Sequence, residues 1–495
     1  MSAMDLNTPI YKLSDKDVMT LDDCTCGTVI FGATGSGKSS GSGRLIAKSY
    51  LRKGMGGLVL TAKNDEKETW IKYAQETGRI DDLVIFGPKD FQFNPLNYEM
   101  ERAEEGAGES GNIVAMCLTI MKMNGRVGAT QNQGSSQDPF WDYAQERLLK
   151  AAIDLIKLSG NKLTMANIVR IVSDAPIEPE ILADNSNRRY TYIEKFSILI
   201  QSEDHEHKNL LDEWCEKNFT VSCLAYAHFN AKTPMEERIY DTAKSYFLSE
   251  FSRLGQKTRT GITEQLYAFV NPFRSGLLAE CFTEGTSPDV LPEETFTRKI
   301  ILLDFPVKKY LNVGIIAQAL YKYIWQQAVE RRDLNRYPMP VFLFADEAQL
   351  FCNQQDMMFQ ETARSSKACT VLLTQNLSNF YAAIGGRDPR DYVHSLLGNL
   401  NTKIFHANTD PITNEFAASI IGQTFQSKDS FNYSPGSAGG SFSEQKHFQV
   451  EPLEFTTMKR GGSQNDFKVE GIVVSAGTTF SNKKNYLKTT FNQNI

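Results

Sequence analysis

The sequence contains no hydrophobic run that approaches the roughly 20 apolar residues of a membrane-spanning helix. The segment from Met1 to Asp23 is polar and partly acidic, so we expect neither a signal peptide nor a membrane anchor there. An overall basic charge is also lacking, since the formal net charge is −6. Any contact with nucleic acid is therefore expected from local loops and not from the field of the whole surface.

The eight cysteines show no framework of spacings that would indicate disulfides or a zinc site. Cys24 and Cys26 are too close together for a usual zinc knuckle, and Cys215 and Cys223 have no second pair nearby. We interpret all eight as reduced thiols of a cytoplasmic protein. With 495 residues, of which 41% are hydrophobic, the chain is long enough for two or three domains with sizeable cores.

A glycine-rich segment near the start of the chain fits the phosphate-binding pattern G-x-x-x-x-G-K-[ST]. It follows the apolar run from Thr28 to Phe31 and precedes a segment of helical periodicity. Glycines allow backbone N–H groups to surround phosphate oxygens, and the following helix adds its positive N-terminal end. Lys38 is expected to bind the β- and γ-phosphates, and Ser39 to bind Mg²⁺. The predicted nucleotide-binding residues are Gly32, Ala33, Thr34, Gly35, Ser36, Gly37, Lys38, Ser39 and Ser40.

The first part of the chain alternates between strand and helix patterns. Leu58–Leu60 and Leu83–Phe86 are short apolar runs bounded by turn residues, and a helix pattern lies between them from Glu66 to Thr77. Such alternation predicts a parallel sheet with right-handed crossovers. The residues Thr61 to Glu66 follow a strand, at the edge where open sheets of this kind place their ligands.

The middle of the chain has helical periodicity without strand alternation, as in Phe140 to Leu158. We therefore predict a nucleotide-binding domain split by an all-helical insertion, with boundaries at 1–97, 98–297 and 298–495. Inside the insertion, the polar residues from Asn124 to Asp138 predict a mobile loop. In the third part, the Ser- and Gly-rich stretch from Gln423 to Gln445 is predicted to be a disordered or mobile loop. The tail from Asn482 is slightly basic, and we interpret it as a solvated end without a function of its own.

The sheet pattern resumes after the insertion and includes Pro340 to Ala345, an apolar strand that ends in Asp346 and Glu347. Most Asp-Glu pairs are merely solvated. An acidic pair directly after buried strand residues, however, needs a partner such as a metal ion. We predict that Asp346 holds Mg²⁺ through its water shell and that Glu347 orients and polarises the attacking water.

Two further residues are candidates for contact with the γ-phosphate. Gln375 follows the apolar run from Cys369 to Thr374, and its amide can bond both phosphate and water. Arg364 lies eleven positions earlier. It is either a surface arginine in an ion pair or an arginine finger that reaches the nucleotide of a neighbouring subunit, and the residues alone leave both open.

The order of these motifs resembles the type IV secretion coupling proteins of conjugation, of the TraG/TraD type, in the FtsK–HerA branch of RecA-like P-loop ATPases. The resemblance rests on four segments: Phe31–Ser39, the Phe93–Leu96 turn, Phe344–Glu347 with Arg364 and Gln375 behind it, and Leu396–Pro411. The helical insertion also resembles that family. The fold that this implies is α/β, a RecA-like core with a mostly parallel central sheet plus the inserted all-α domain.

The resemblance further implies a ring ATPase, usually hexameric, that grips DNA in a central channel and uses ATP and Mg²⁺. In this sequence it assigns catalytic roles to Lys38, Glu347, Arg364 and Gln375, with Arg364 acting on the neighbouring subunit, and metal binding to Ser39 and Asp346. Relatives commonly begin with membrane-spanning helices, which this sequence lacks. We therefore expect a cytoplasmic protein, tethered, if at all, by a separate membrane-anchored partner of the secretion channel.

Three functions stay open at this point. The first is an ATP-driven translocase that delivers DNA, single-stranded and with a bound relaxase, to a conjugation channel. The second is a receptor in which nucleotide binding only assembles a ring that recruits secretion substrates. The third is a related motor for DNA packaging or for defence against foreign DNA.

Overall fold

The computed structural model describes residues 4–128, 139–177, 182–183, 189–384, 389–434 and 437–494. In chain order its strands are β1 (Pro9–Lys12), β2 (Val18–Thr20), β3 (Thr28–Phe31), β4 (Gly56–Leu60), β5 (Leu83–Phe86), β6 (Leu182–Ala183), β7 (Arg189–Tyr190), β8 (Ile300–Leu303), β9 (Val341–Ala345), β10 (Ala368–Thr374), β11 (Thr402–Phe405), β12 (Gln423–Ser434), β13 (Ser437–Phe448), β14 (Lys468–Ser475) and β15 (Tyr486–Asn492).

The helices are α1 (Leu21–Thr25), α2 (Arg44–Arg52), α3 (Glu66–Glu76), α4 (Pro95–Glu101), α5 (Ser110–Gly128), α6 (Pro139–Leu158), α7 (Met165–Asp174), α8 (Tyr192–Gln201), α9 (His205–Lys217), α10 (Phe219–Asn230), α11 (Pro234–Ser245), α12 (Gln256–Val270), α13 (Leu277–Phe282), α14 (Val307–Arg331), α15 (Gln354–Thr362), α16 (Leu377–Ile384), α17 (Pro389–Gly398), α18 (Pro411–Ile421) and α19 (Glu454–Thr457). Within the described ranges, none of them is both long enough and apolar enough to cross a bilayer.

The chain divides into two compact units. The first combines Met1–Gly87 with Asp289–Ile495, and the second is Pro88–Pro288. In the part of the second unit that the structure describes, the regular elements are helices and the two-residue strands β6 and β7. The domain boundaries proposed from the sequence, at 97/98 and 297/298, stay a prediction.

One mixed sheet organises the first unit. Among the described residues it has nine strands in the order β15-β14-β11-β3-β10-β9-β4-β8-β5. The strands from β11 to β5 are parallel to their neighbours, whereas β14 and β15 are antiparallel. Every residue of β3, β9 and β10 is buried, as expected for parallel strands that are covered on both faces. The predicted mostly parallel sheet is therefore present.

Apolar packing in the core of this unit fixes the positions of β3 and β9. Ile30 of β3 and Phe344 of β9 are buried in one apolar cluster with Ile46 and Leu51 of α2. Trp70 of α3 packs edge-on against Phe344, with ring centroids 5.2 Å apart. Because both strands are held by this packing, the residues that follow them at their carboxyl ends have defined positions.

One segment predicted to be a disordered or mobile loop forms strands, so that prediction is wrong. The stretch from Gln423 to Gln445 belongs to an antiparallel hairpin in which β12 pairs with β13 from Gln423↔Phe448 to Ser434↔Ser437. Its Ser- and Gly-rich composition was misleading because a hairpin ladder is bonded through the backbone, which any of these residues supplies. The C-terminal tail contains β15, whose Tyr486, Leu487 and Phe491 are buried.

The loop predicted from Asn124 to Asp138 can be compared with the structure only in part. Residues 124–128 form the end of α5, so the loop prediction is wrong for them. Residues 129–138 lie outside the described residues. The eight cysteines all fall within the described ranges, and each is a free thiol.

Candidate nucleotide site

The phosphate loop connects the buried strand β3 to a π-helical turn at Ser39–Gly43, from which α2 continues. Gly35 and Gly37 have positive φ angles of 73° and 86°, which glycine adopts without steric cost. A Cβ atom on Gly37 would overlap the side chain of Val469, and one on Gly32 would overlap Ser36. The glycines are therefore required by the backbone path and by close packing, as in a loop that curls around phosphate.

The loop brings Lys38 and Ser39 to the acidic residues that follow β9, although more than 300 positions separate them in the chain. The Ser39 hydroxyl donates a hydrogen bond to Asp346 Oδ2 at 2.8 Å. Lys38 Nζ lies 3.9 Å from Asp346 Oδ1 and 3.6 Å from Glu347 Oε1. These four side chains, each expected in the nucleotide site, converge in one place.

The electrostatics of the pocket keep both acidic residues ionised. Burial by itself would raise the pKa of Asp346, but the charges of Lys38 and Lys63 outweigh it and hold that pKa below its usual range. For Glu347 burial likewise opposes the shift, and the Lys38 charge and the Gln349 hydrogen bond leave its pKa lowered. The pocket therefore presents two ionised carboxylates beside Lys38.

Glu347 has a backbone conformation that is unusual for a non-glycine residue, with φ 49° and ψ 46°. Its side chain accepts a hydrogen bond from Gln349 Nε2 at 2.9 Å, and Gln375 Nε2 lies 3.3 Å from Oε1. Gln349 is fixed in turn by Thr374, the last residue of β10. The left-handed backbone and these amides aim the Glu347 carboxylate, and they place Gln375 beside it.

Ser40 and Arg364 are the two predicted residues whose side chains point elsewhere. The Ser40 hydroxyl accepts a hydrogen bond from Gln493 Nε2 at 2.6 Å, so its side chain contacts the C-terminal segment. Arg364 precedes β10 and pairs with Asp22 through a 2.8 Å bond, with 61% of its side chain exposed. The parallel pairing of β10 with β3 puts Arg364 at the edge of the sheet opposite the phosphate loop.

Three residues that lie in or under the pocket were given no role in the sequence analysis: Lys63, Glu66 and His406. Lys63 Nζ lies 2.8 Å from Asp346 Oδ2 and 3.6 Å from Glu347 Oε1. Nearby, burial and the charge of Asp346 raise the pKa of Glu66 to about 8. The position of Thr61–Glu66 at a strand end was the available signal, but no motif identified Lys63.

His406 lies beneath the phosphate loop, directly after β11. Its Nε2 faces the Ser42 hydroxyl at 2.7 Å, and its Nδ1 faces the Glu470 carbonyl at 2.8 Å. Nδ1 must therefore donate to the carbonyl, which leaves Nε2 to accept from Ser42. Burial lowers the pKa of His406 to about 4, so the ring is neutral at physiological pH.

The donor set fits a hard divalent cation. The Ser39 hydroxyl and the Asp346 carboxylate offer oxygen ligands, which Mg²⁺ prefers, and they already lie 2.8 Å apart. Mg²⁺ is usually held by few protein oxygens together with nucleotide phosphates and water. A glycine-rich loop beside this pair supplies the surroundings that a triphosphate requires.

A known protein family matches one part of the chain. Residues 340–460, which contain Asp346, Glu347, Arg364 and Gln375, match the family described as the TraM recognition site of TraD and TraG. No curated protein matches the sequence.

Among solved structures, an unbound form of the bacterial conjugative coupling protein TrwBdeltaN70 aligns with a TM-score of 0.57 at 12% identity. The alignment covers 98% of this chain and 89% of that one. The chain has the fold of a conjugative coupling protein. The predicted fold class and the predicted resemblance to coupling proteins are thereby confirmed.

Other structures of TrwB show which ligands that protein binds. Its complex with ADP and Mg²⁺ has a TM-score of 0.56 at 12% identity, and the alignment covers 98% of this chain and 90% of TrwB. Its complex with the non-hydrolysable ATP analogue ADPNP has a TM-score of 0.54 at 13% identity, covering 100% and 92%. A protein of this fold therefore holds both nucleotide and Mg²⁺.

Proposed function

We propose that the protein is a coupling ATPase of conjugation, which binds ATP with Mg²⁺ and uses hydrolysis to move DNA toward a secretion channel. The observation that carries the proposal is the convergence of Lys38, Ser39, Asp346, Glu347 and Gln375 on one pocket at the carboxyl edge of the sheet. The coupling-protein fold and the match over residues 340–460 support it.

In this proposal the phosphate loop binds the triphosphate. Its backbone N–H groups and Lys38 neutralise the phosphate oxygens, while Ser39 and Asp346 hold the metal ion, directly and through water. When bound, Mg²⁺ neutralises charge on the phosphates and orients them. The low pKa of Asp346 keeps that carboxylate available as a metal ligand at neutral pH.

Glu347 and Gln375 act on the attacking water. The ionised Glu347 carboxylate accepts a hydrogen bond from the water and orients it toward the γ-phosphate. Gln375, which lies 3.3 Å from Glu347, bonds both the water and the transferring phosphoryl group. Arg364 is too exposed and too distant from the phosphate loop of its own subunit to act there, so we assign it to the neighbouring pocket of a homo-hexameric ring.

The partners follow from the same proposal. We expect DNA, single-stranded, in the central channel of the ring, a relaxase or another secretion substrate bound to it, and a separate membrane-anchored partner that holds the ring at the cytoplasmic face of the membrane. The similarity of residues 340–460 to a TraM recognition site supports a protein-docking role for this part of the chain.

ATP turnover with and without DNA at low salt tests the proposal. We expect DNA to stimulate hydrolysis, and we expect Lys38→Ala to abolish it in both conditions. If DNA leaves the ATP turnover of the wild-type protein unchanged, the result contradicts the proposed motor function and supports only an ATPase activity.

The receptor function is the second candidate, because Pro88–Pro288 forms a compact unit of its own, while the residues of the nucleotide pocket belong to the other unit. Here nucleotide binding assembles the ring, and the helical unit captures the secretion substrate. Glu347→Gln should still recruit substrate in a pull-down, and removal of residues 140–290 should abolish recruitment. The DNA-stimulation assay separates the two functions: DNA accelerates ATP turnover if the protein is a motor, and it does not if the protein is only a receptor.

A further inference from the structure

Lys63 follows β4, and the backbone of the preceding residue, Ala62, is held by two hydrogen bonds. The Glu66 carboxylate accepts a hydrogen bond from Ala62 N at 2.7 Å, and the Ala62 carbonyl accepts one from Lys308 N at 3.0 Å. From this position the Lys63 ammonium reaches Asp346 Oδ2 at 2.8 Å and Glu347 Oε1 at 3.6 Å. The neighbouring strands β4 and β9 thus bring a lysine onto the acidic pair.

The oxygen that Lys63 contacts is the one that also accepts the Ser39 hydroxyl. Ser39 Oγ and Lys63 Nζ each lie 2.8 Å from Asp346 Oδ2. A lysine ammonium and a hydrated divalent cation carry like charges, so an ammonium on this oxygen repels a metal ion that approaches the same carboxylate. Binding of the metal at Asp346 therefore competes with the Lys63 contact.

The two lysines of the pocket are not equivalent. Lys38 has a side chain only 7% exposed and lies on the phosphate-loop side of the acidic pair. Lys63 has a side chain 38% exposed, so it can swing toward solvent without disturbing the core. Both lysines offset the charges of Asp346 and Glu347, and Lys63, which also lies 3.9 Å from Glu66 Oε1, is the more exposed of the two.

We propose that Lys63 is an internal cation that neutralises Asp346 between nucleotide cycles and competes with Mg²⁺ for this carboxylate. The inference rests on the proposed nucleotide site and adds a residue that sets its metal requirement. In this role Lys63 stabilises the acidic pair in the absence of a metal ion, and it makes tight Mg²⁺ binding depend on the arrival of nucleotide phosphates.

The test measures ADP binding to the full chain at fixed ADP while the Mg²⁺ concentration is varied. ADP is used because it has no γ-phosphate for Lys63 to contact. We expect Lys63→Met to lower the Mg²⁺ concentration for half-maximal binding by about tenfold, the size of one charged hydrogen bond. Lys63→Arg retains the competing charge and should stay close to wild type.

Lys67→Met is the matched control. Lys67 lies four positions further along and pairs with Asp304 at 3.0 Å, so its loss changes the net charge equally without touching Asp346. It should leave the Mg²⁺ midpoint unchanged. Thermal unfolding with Mg²⁺ alone provides a readout without nucleotide, in which Lys63→Met is stabilised by the metal more than the wild type.

Two results would overturn the inference. An unchanged or raised Mg²⁺ midpoint in Lys63→Met would mean that Lys63 does not compete with the metal. A loss of ADP affinity at saturating Mg²⁺ in this variant, with normal unfolding, would make Lys63 a phosphate ligand instead. If the wild type binds no ADP at any Mg²⁺ concentration, the proposed nucleotide site itself fails, which is a separate outcome.

Discussion

At the scale of single residues, Glu347 shows how strongly the pocket constrains the backbone. A left-handed conformation costs a glutamate free energy that glycine would not incur, and such strain persists where the surroundings impose it. Here Gln349, Gln375 and Lys38 surround the carboxylate and hold it in place. The strained residue is also the one to which the proposal assigns the attacking water.

Alanine substitutions at Gly37 and Gly35 allow the effect of backbone strain to be distinguished from the effect of steric overlap. Both have positive φ, but a Cβ atom on Gly37 would overlap Val469, whereas one on Gly35 would meet open space. We predict that Gly37→Ala weakens ADP binding at least about tenfold more than Gly35→Ala, as measured by titration. Val469→Ala in the Gly37→Ala background should recover part of the loss. Equal losses for the two glycine variants would contradict the packing argument.

His406 should make the stability of the protein depend on pH. Its pKa of about 4 in the folded state lies below the ordinary 6.5, so the unfolded chain binds more protons between these values. The contribution of the neutral His406 to the free energy of unfolding is therefore complete above about pH 6.5, and it is lost as the pH falls toward 4. We predict that His406 accounts for about 2 kcal/mol of the stability lost between pH 7 and pH 5.

Chemical unfolding of His406→Gln at the two pH values checks this prediction. The variant should lose less stability on acidification than the wild type, because glutamine does not titrate. His205→Gln, at an exposed position of α9, should behave like the wild type. An equal acid sensitivity in His406→Gln and wild type would show that another group is responsible.

At the scale of elements, β15 tests whether the C-terminal segment is part of the fold. Phe491 is 4% exposed, and its ring centroid lies 5.4 Å from that of His406 beneath the phosphate loop. We predict that Phe491→Ala lowers the free energy of unfolding by roughly 3–5 kcal/mol, measured by denaturant titration. Thr490→Ala, at an exposed position of the same strand, should cost no more than about 0.5 kcal/mol. Equal effects of the two changes would contradict the packed strand.

The same elements show what the sequence could and could not predict. Strands β3 and β5 lie at the predicted residues because each is an apolar run bounded by polar or turn residues. By contrast, β15 mixes Lys488, Thr489 and Thr490 with its buried side chains, which weakens the pattern. Lys63 was assigned no role because its contact with Asp346 joins residues 283 positions apart, and no local pattern encodes such a pair.

At the scale of the whole molecule, Arg364 is the residue whose assigned role requires a second subunit. Its position at the opposite edge of the sheet excludes it from its own phosphate loop. We predict that Arg364→Ala lowers ATP turnover by roughly 10³- to 10⁵-fold, as expected for an arginine finger. An equimolar mixture of Arg364→Ala and Lys38→Ala subunits should regain turnover, because intact pockets then meet intact arginines.

The control for this mixture combines Lys38→Ala with Glu347→Gln, two changes within the same pocket. Neither subunit then has a complete pocket, so no arrangement of subunits restores turnover. Recovery in the control mixture, or no recovery in the test mixture, would contradict the assignment of Arg364 to a neighbouring subunit.

The most direct test of the account is to measure ATP binding and ATP turnover side by side for the wild type and Glu347→Gln. The account predicts that the variant binds ATP with Mg²⁺ as tightly as the wild type, because Lys38, Ser39 and Asp346 are intact, while turnover falls by about 10³-fold. Glu361→Gln, at an exposed position of α15, should change neither quantity. Turnover that survives in Glu347→Gln would contradict the proposed hydrolytic site.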